Sequence, residues 1–190
     1  MIREFAESDL AEIVSLRPTV SDELSENVPS AVFLLLVREE NSLILTKRSD
    51  HLPNHPGQIC FPGGKQQASD SDLLATACRE TFEEIGVSKH RIQLLGYMDA
   101  LHSLSGFYVQ PVVGCIDALQ PYTLDSNEVA ELFTLPLDIA TDLANYRRHR
   151  VDYAGQERTY YSIDHQGHHI WGLTGIVLYR MASALEKLKR

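Results

Sequence analysis

The sequence predicts one mixed α/β or α+β sandwich, with strands and helices alternating along a single domain. Two apolar stretches, AVFLLLV at 31–37 and YVQPVVGCI at 108–116, are long enough to be buried strands. Between them, residues 72–85 repeat apolar positions at helical spacing, and residues 173–188 do so again near the C-terminus.

Each element follows from its own pattern. Residues 1–29 set Phe5, Leu10, Ile13, Val14 and Leu16 at helical spacing among acids, which predicts an N-terminal helix; Pro18 and Pro29 mark breaks around a polar linker. The run 31–37, the turn residues Glu39, Glu40 and Asn41, and the strand-like 42–46 make a hairpin signal. Residues 51–58, rich in Pro, Asn and Gly, read as a loop before a short strand at 59–61. The central helix has Ser71 or Asp70 as its N-cap and Gly86 at the left-handed position that ends it. Leu74, Ala77, Cys78, Thr81 and Ile85 form its buried stripe, and Glu80, Glu83 and Glu84 point away from it. Strands at 91–99 and 108–116 flank a loop at 100–106, followed by a strand at 128–135 and a short helix at 136–145. Segments 158–163 and 169–171 flank His165-Gln166-Gly167-His168, a hairpin turn signal.

Composition narrows the function classes. A chain of 190 residues with a formal net charge of -9 is ill suited to non-specific binding of nucleic acid or a membrane surface. A small anionic substrate remains compatible, because a metal and a few local cations can invert the field around a site. No apolar run has transmembrane length, and MIREFAESDLAEIV lacks a secretory core. Cys60, Cys78 and Cys115 have no metal-ligand spacing and read as buried thiols in a reducing, cytoplasmic setting.

The chemistry concentrates between Pro62 and Val87. Glu80 and Glu84 lie one helical turn apart, a spacing at which like charges repel unless a cation joins them. Two hard carboxylates with room for water and phosphate oxygens suit magnesium. Gly63 and Gly64 permit a tight turn that offers backbone groups to a ligand, and Arg79 can pair with Glu83 four residues on. Carboxylate-held metal of this kind neutralises phosphate charge and activates water.

These residues resemble the Nudix box, G-x5-E-x7-R-E-U-x-E-E-x-G-U, with U aliphatic or bulky. Gly64, Arg79, Glu80, Phe82, Glu83, Glu84, Gly86 and Val87 fall in its order. The interval from Gly64 to Arg79 is one residue longer than the pattern, and Ser71 stands eight before Arg79 where the pattern has Glu, flanked by Asp70 and Asp72. Upstream, Leu45 to Ser49, Leu52, His55, Gly57, Gln58 and Phe61 to Gly64 resemble the signature of the coenzyme A pyrophosphatase branch, with Pro53 where that branch has an Arg. Gly106-Phe107, Val109 to Gly114 and Ile170 to Thr174 also resemble this branch, so the likeness spans about 30–185.

The resemblance implies an α/β/α sandwich with a mixed sheet, divided as an N-terminal helical extension at 1–29 and a Nudix hydrolase domain at 30–190. It implies Mg2+ or Mn2+ held by Glu80 and Glu84, with Glu83 in or beside the metal shell and the Gly63 carbonyl as a further ligand. Arg79 would orient the glutamates, and Lys47, Arg48 and His55 would line the phosphate side. The implied partner is a small diphosphate such as coenzyme A, and a homodimer is compatible with it. Water attack would yield 4'-phosphopantetheine and adenosine 3',5'-bisphosphate. Two other readings stand beside this one: a Nudix hydrolase of another nucleoside diphosphate derivative, such as a nucleotide sugar or dinucleotide, and a non-catalytic Nudix-fold binding domain.

Several other residues read as ordinary surface or packing. The basic run Arg147, Arg148, His149 and Arg150 reads as a solvated strand edge, and His168 and His169 as surface histidines. Tyr153, Tyr160 and Tyr161 read as sheet packing, while Glu128 and Glu131 are late acids able to serve as general base.

Overall fold

Strands β1 (Val28–Val37) and β7 (Phe107–Ile116) run parallel at the centre of an eight-stranded mixed sheet, in register from Val28 opposite Phe107 to Val37 opposite Ile116. This computed structural model describes residues 6–18, 27–153 and 155–188; Phe5 and the side chain of Tyr153 lie outside the described residues. Strand β2 (Ser42–Arg48) returns antiparallel to β1 and carries β8 (Val129–Pro136) on its other side. Strand β5 (Gln93–Tyr97) pairs antiparallel with β7 at the far edge. Short strands β3 (Ile59–Cys60), β4 (Gly63–Lys65) and β6 (Leu101–His102) pair with β2, β1 and β7 respectively.

The continuous apolar runs of β1 and β7 reflect burial on both faces. Phe33, Leu35 and Val37 pack beneath helix α2 (Leu73–Ile85), against Ala77 and Ile85. Leu34 and Leu36 face the opposite way, into a second cluster with Val177, Leu178, Met181 and Leu185 of α4 (Gly172–Leu188) and Leu10 of α1 (Glu7–Glu12). Helix α3 (Leu137–Thr141) joins that second layer, giving the expected α/β/α sandwich. A separate three-stranded sheet, in the order β11-β10-β9, is formed by β9 (Tyr146–Tyr153), β10 (Gln156–His165) and β11 (His168–Ile170). Its β10–β11 turn has positive φ at both Gln166 and Gly167, as the sequence signal anticipates.

The structure moves several boundaries. Helix α1 stops at Glu12, since Ser15 forms a two-way backbone bridge with Tyr97; this leaves Leu16 88% exposed instead of on the apolar face. Pro29 does not break the chain: β1 begins at Val28, and proline's missing N–H is tolerated at the start of a strand. Residues 89–91 form a 3-10 turn, so the strand expected at 91–99 shortens to Gln93–Tyr97. Glu128 sits in a turn ahead of β8.

Candidate active site

Helix α2 starts later than expected. Asp72 caps it, its carboxylate accepting the Ala75 N–H at 2.8 Å, so neither Ser71 nor Asp70 is the N-cap. Gly86 ends the helix with φ 70° and donates its N–H to the Phe82 carbonyl, as anticipated. Burial along α2 also differs from the expectation at Glu84. Glu84 is only 3% exposed, so it does not point away from the stripe with Glu83. Thr81 is fully buried, as the stripe predicts, and Phe82 is 58% exposed; in the spacing R-E-U-x-E-E it is Thr81, not Phe82, that stands at U.

Asp70 has a different task. Arg79 grips it twice, Nε to Oδ1 at 3.0 Å and Nη2 to Oδ2 at 2.9 Å. The Gln67 N–H and the Thr76 hydroxyl also donate to Asp70. The Arg79 hydrogen bonds, with those donors, hold the Asp70 carboxyl at about 2 despite its burial. With its remaining donors Arg79 reaches Glu80 and Glu83, each at 2.8 Å, and the Lys65 carbonyl at 3.0 Å. Counting forward from Gly64, instead of back from Arg79, puts Asp70 at the acid position of the box; the extra residue then lies between Asp70 and Arg79. That count was the signal available in the sequence.

The glycine pair fits closely against β1 and α2. A Cβ on Gly63, whose φ is 153°, would lie 2.3 Å from the Ala31 carbonyl oxygen. One on Gly64 would lie 2.5 Å from the Glu80 carboxylate, so glycine leaves the space that Glu80 fills. The Gly63 N–H donates to Glu84 Oε2 at 3.2 Å. Even so, burial and then the neighbouring Glu80 charge push the Glu84 carboxyl up to about 8. Burial likewise raises Glu80, against the pull of Arg79.

The other expected residues divide. Lys47 and Arg48 follow one another on β2, both half-buried, and the register with β8 shifts between them. Arg48 lends positive charge to Glu84 and Cys60, and its buried Nε has no hydrogen-bond partner. His55 is exposed on the 51–58 loop at φ 55°, where its carbonyl accepts the Gln58 N–H. Of the late acids, Glu128 lends negative charge to both Glu80 and Glu84, whereas Glu131 is paired with His168 Nε2 at 3.3 Å. The structure thus brings Gly63, Arg79, Glu80, Glu83, Glu84 and Arg48 together, adds Asp70 and Glu128, and leaves Glu131 to His168.

A hard divalent cation fits this arrangement. Glu84 is a buried carboxylate that the N–H of Gly63 alone does not keep charged at neutral pH, and a cation would relieve that. Among the described residues, no three His, Cys, Asp or Glu side chains converge closely enough to hold a metal by themselves. Glu80 and Glu84 could therefore hold one with backbone, water and phosphate oxygens completing the shell, the habit of magnesium.

Comparison with known proteins decides the family. The model of the NUDIX domain matches residues 27–154. The chain belongs to the Nudix family. A protein of Enterobacter sp. (strain 638), named uncharacterized Nudix hydrolase NudL, is 34% identical over 168 residues and covers 88% of each chain. A protein of the same name from Yersinia pestis (strain Pestoides F) is 37% identical over 148 residues, covering 78% of this chain and 74% of its own. The solved C. elegans Ap4A hydrolase binary complex shares the fold, with a TM-score of 0.52 at 15% identity over 84% of this chain and 95% of that one. This Nudix hydrolase is accordingly an enzyme that splits diphosphate linkages in small molecules, in a family that generally uses divalent ions such as Mg2+ or Mn2+. Among its described residues no helix is long and apolar enough to cross a membrane.

Proposed function

We propose that this Nudix hydrolase cleaves coenzyme A or its thioesters to 4'-phosphopantetheine and adenosine 3',5'-bisphosphate. The observation that supports this reading is the continuity of the segments resembling the coenzyme A branch. The Arg48 N–H donates to the Gln58 carbonyl at 3.0 Å, the Gly57 N–H to the Arg48 carbonyl at 3.2 Å, and Gly63 donates to Glu84. Signature residues far apart in sequence thus form one wall beside the acidic helix.

In this reading Glu80 and Glu84 hold Mg2+ or Mn2+, with Glu83 beside them and the Gly63 carbonyl as a further ligand. When bound, the cation neutralises phosphate charge and makes a coordinated water more acidic. Arg79 fixes the Glu80 and Glu83 carboxylates by two 2.8 Å hydrogen bonds, so neither swings into an unproductive rotamer. Arg48, with an unpartnered buried Nε, meets a diphosphate oxygen, and Lys47 and His55 line the outer phosphate side. A carboxylate takes the proton of the attacking water; Glu83, hydrogen-bonded to Arg79, and Glu128, whose charge reaches Glu80 and Glu84, are the candidates. The water oxygen bonds to phosphorus, and the bridging P–O bond breaks with its electron pair leaving on the second phosphate.

Pro53 favours a second reading. It lies exposed on the 51–58 loop where the coenzyme A signature has a cation, which leaves room for another nucleoside diphosphate derivative. Incubation with Mg2+ and, separately, coenzyme A, a nucleotide sugar and a dinucleotide, with products identified by mass spectrometry, separates the two. The expected result is fastest turnover of coenzyme A into the two halves named above. Rapid turnover of another substrate with coenzyme A intact would overturn the substrate assignment and keep the chemistry.

A further inference from the structure

The three-stranded sheet β9–β11 has two unlike faces. Residues directly opposite one another across a ladder share a face. Ile163 faces Ile170, both fully or almost fully buried, and on the same face Tyr161 stacks on Tyr179 of α4 at 3.5 Å. That face is packing, as the sequence suggests for Tyr161. The other face carries Tyr160 opposite His149, their rings stacked at 4.6 Å and 12°. Trp171 meets Tyr160 edge-on at 6.2 Å and is 44% exposed. His149 is held in place by a 2.7 Å hydrogen bond to the buried Ser162.

Cations flank these rings in a chain whose net charge is -9. Arg147, 74% exposed at its side chain, and Arg158, exposed beside Val151, lie on the same face by register. Asp164 shares Arg147 at 3.2 Å, an exposed pairing weak enough to give way to a phosphate. The aromatic face also adjoins the proposed phosphate wall. A Cβ on Gly172, next to Trp171, would lie 3.2 Å from Gln58 Nε2, and the Thr174 hydroxyl donates to the Ile59 carbonyl at 3.1 Å. Gln58 in turn accepts the Arg48 N–H. Tyr160, Trp171 and Arg158 lie beyond residue 154, where the family match ends, while His149 and Arg147 lie within it.

We propose that the outer face of this sheet is the base-recognition subsite of the enzyme: a purine stacks against Tyr160 and Trp171 while Arg147 and Arg158 take phosphate on its ribose. The inference rests on the reading of the substrate as a nucleoside diphosphate derivative. Flat aromatic side chains accept a base by its π-face, and arginine suits phosphate by its planar fork of donors. The other half of the substrate would extend past Gln58 and Arg48 towards Glu84.

Trp171 is the single tryptophan of the chain, so its fluorescence reports on this face directly. Titration with adenosine 3',5'-bisphosphate should quench it saturably, while ribose 5-phosphate and pantetheine should not. Tyr160→Ala should raise KM for coenzyme A about tenfold with kcat within about twofold, the size expected for loss of one base-stacking ring. Should Tyr160→Ala fail to fold, Arg158→Ala on the exposed strand carries the test, with a smaller rise in KM for coenzyme A and none for a substrate lacking the ribose phosphate. Absence of quenching, equal quenching by ribose 5-phosphate, or an unchanged KM in folded variants would overturn the subsite and leave the substrate reading standing. Quenching by adenosine 3',5'-bisphosphate with no turnover of coenzyme A would do the reverse.

Discussion

Arg38 and Arg79 each gather acids, Arg38 from distant parts of the chain and Arg79 from its own stretch. Arg38, at the end of β1, binds Glu7 of α1 with two donors and reaches Asp117 beyond β7, Gln93 of β5 and the Cys115 thiol. Arg79 binds Asp70, Glu80, Glu83 and the Lys65 carbonyl. In the first cluster hydrogen bonds from Arg38 lower the Glu7 carboxyl, and the second acid, Asp117, is open to solvent. In the second, Glu84 sits buried beside the cluster with its carboxyl at about 8, and Glu128 adds further negative charge. A clamp that only stabilises needs balanced charge. The excess of carboxylate around Arg79 supports the proposal that a cation and a diphosphate bind there.

The sharpest way to break this contrast is Glu84→Gln. Turnover of the diphosphate substrate should fall on the order of a thousandfold in steady-state assays, comparable to removing a principal electrostatic group. The variant should still fold. Full activity would remove Glu84 from the proposed metal site. Next is Arg79→Ala, which strands Asp70 without its partner and should cost about 3 kcal/mol in denaturant melts, together with a tenfold to hundredfold loss of activity. By contrast Arg38→Ala, at a partly exposed clamp, should cost about 1 kcal/mol and leave kcat unchanged, since its acids belong to α1 and the segment after β7. If both arginine variants lost activity alike, the functional difference between the clusters would disappear.

Proton linkage gives a further test. The folded Glu84 carboxyl, at about 8, lies above its ordinary 4.5, so its contribution to stability is full below 4.5 and is lost as pH rises through 8. Melting temperature in EDTA should therefore fall between pH 5 and pH 8.5, and Mg2+ should restore more at the upper end. Glu84→Gln should flatten that slope. Asp70 has the opposite sign: at about 2 it lies below its ordinary 3.8, so its contribution is full above 3.8 and is lost as pH falls towards 2. The smallest expected effect is Thr81→Val, which removes a buried hydroxyl that has no partner and should raise the melting temperature by roughly 2–4 °C, with activity unchanged.

Local pattern carried much of the fold. The apolar runs of β1 and β7, the helical period of α2 with Gly86 behind it, and the Gln166-Gly167 turn are short-range signals, and the structure repeats them. Boundaries that depend on distant partners were less legible. Helix α1 ends early because Ser15 finds Tyr97, and β1 starts early because its first residues have β7 to pair with. At the site the same division holds. The spacing of Arg79, Glu80, Glu83 and Glu84 is written in the chain, but equal spacing cannot tell a solvated acid from a buried one.

The sequence alone therefore determined the sandwich, the family pattern and the set of acids, because periodicity and motif spacing are properties of neighbouring residues. Tertiary structure decided the surroundings of each acid. Asp70 is taken by Arg79, Glu131 by His168, and Glu84 is enclosed against Gly63 with too little positive charge. Those outcomes depend on which surfaces meet across the fold, since both burial and the field at a carboxylate are set by groups remote in the chain.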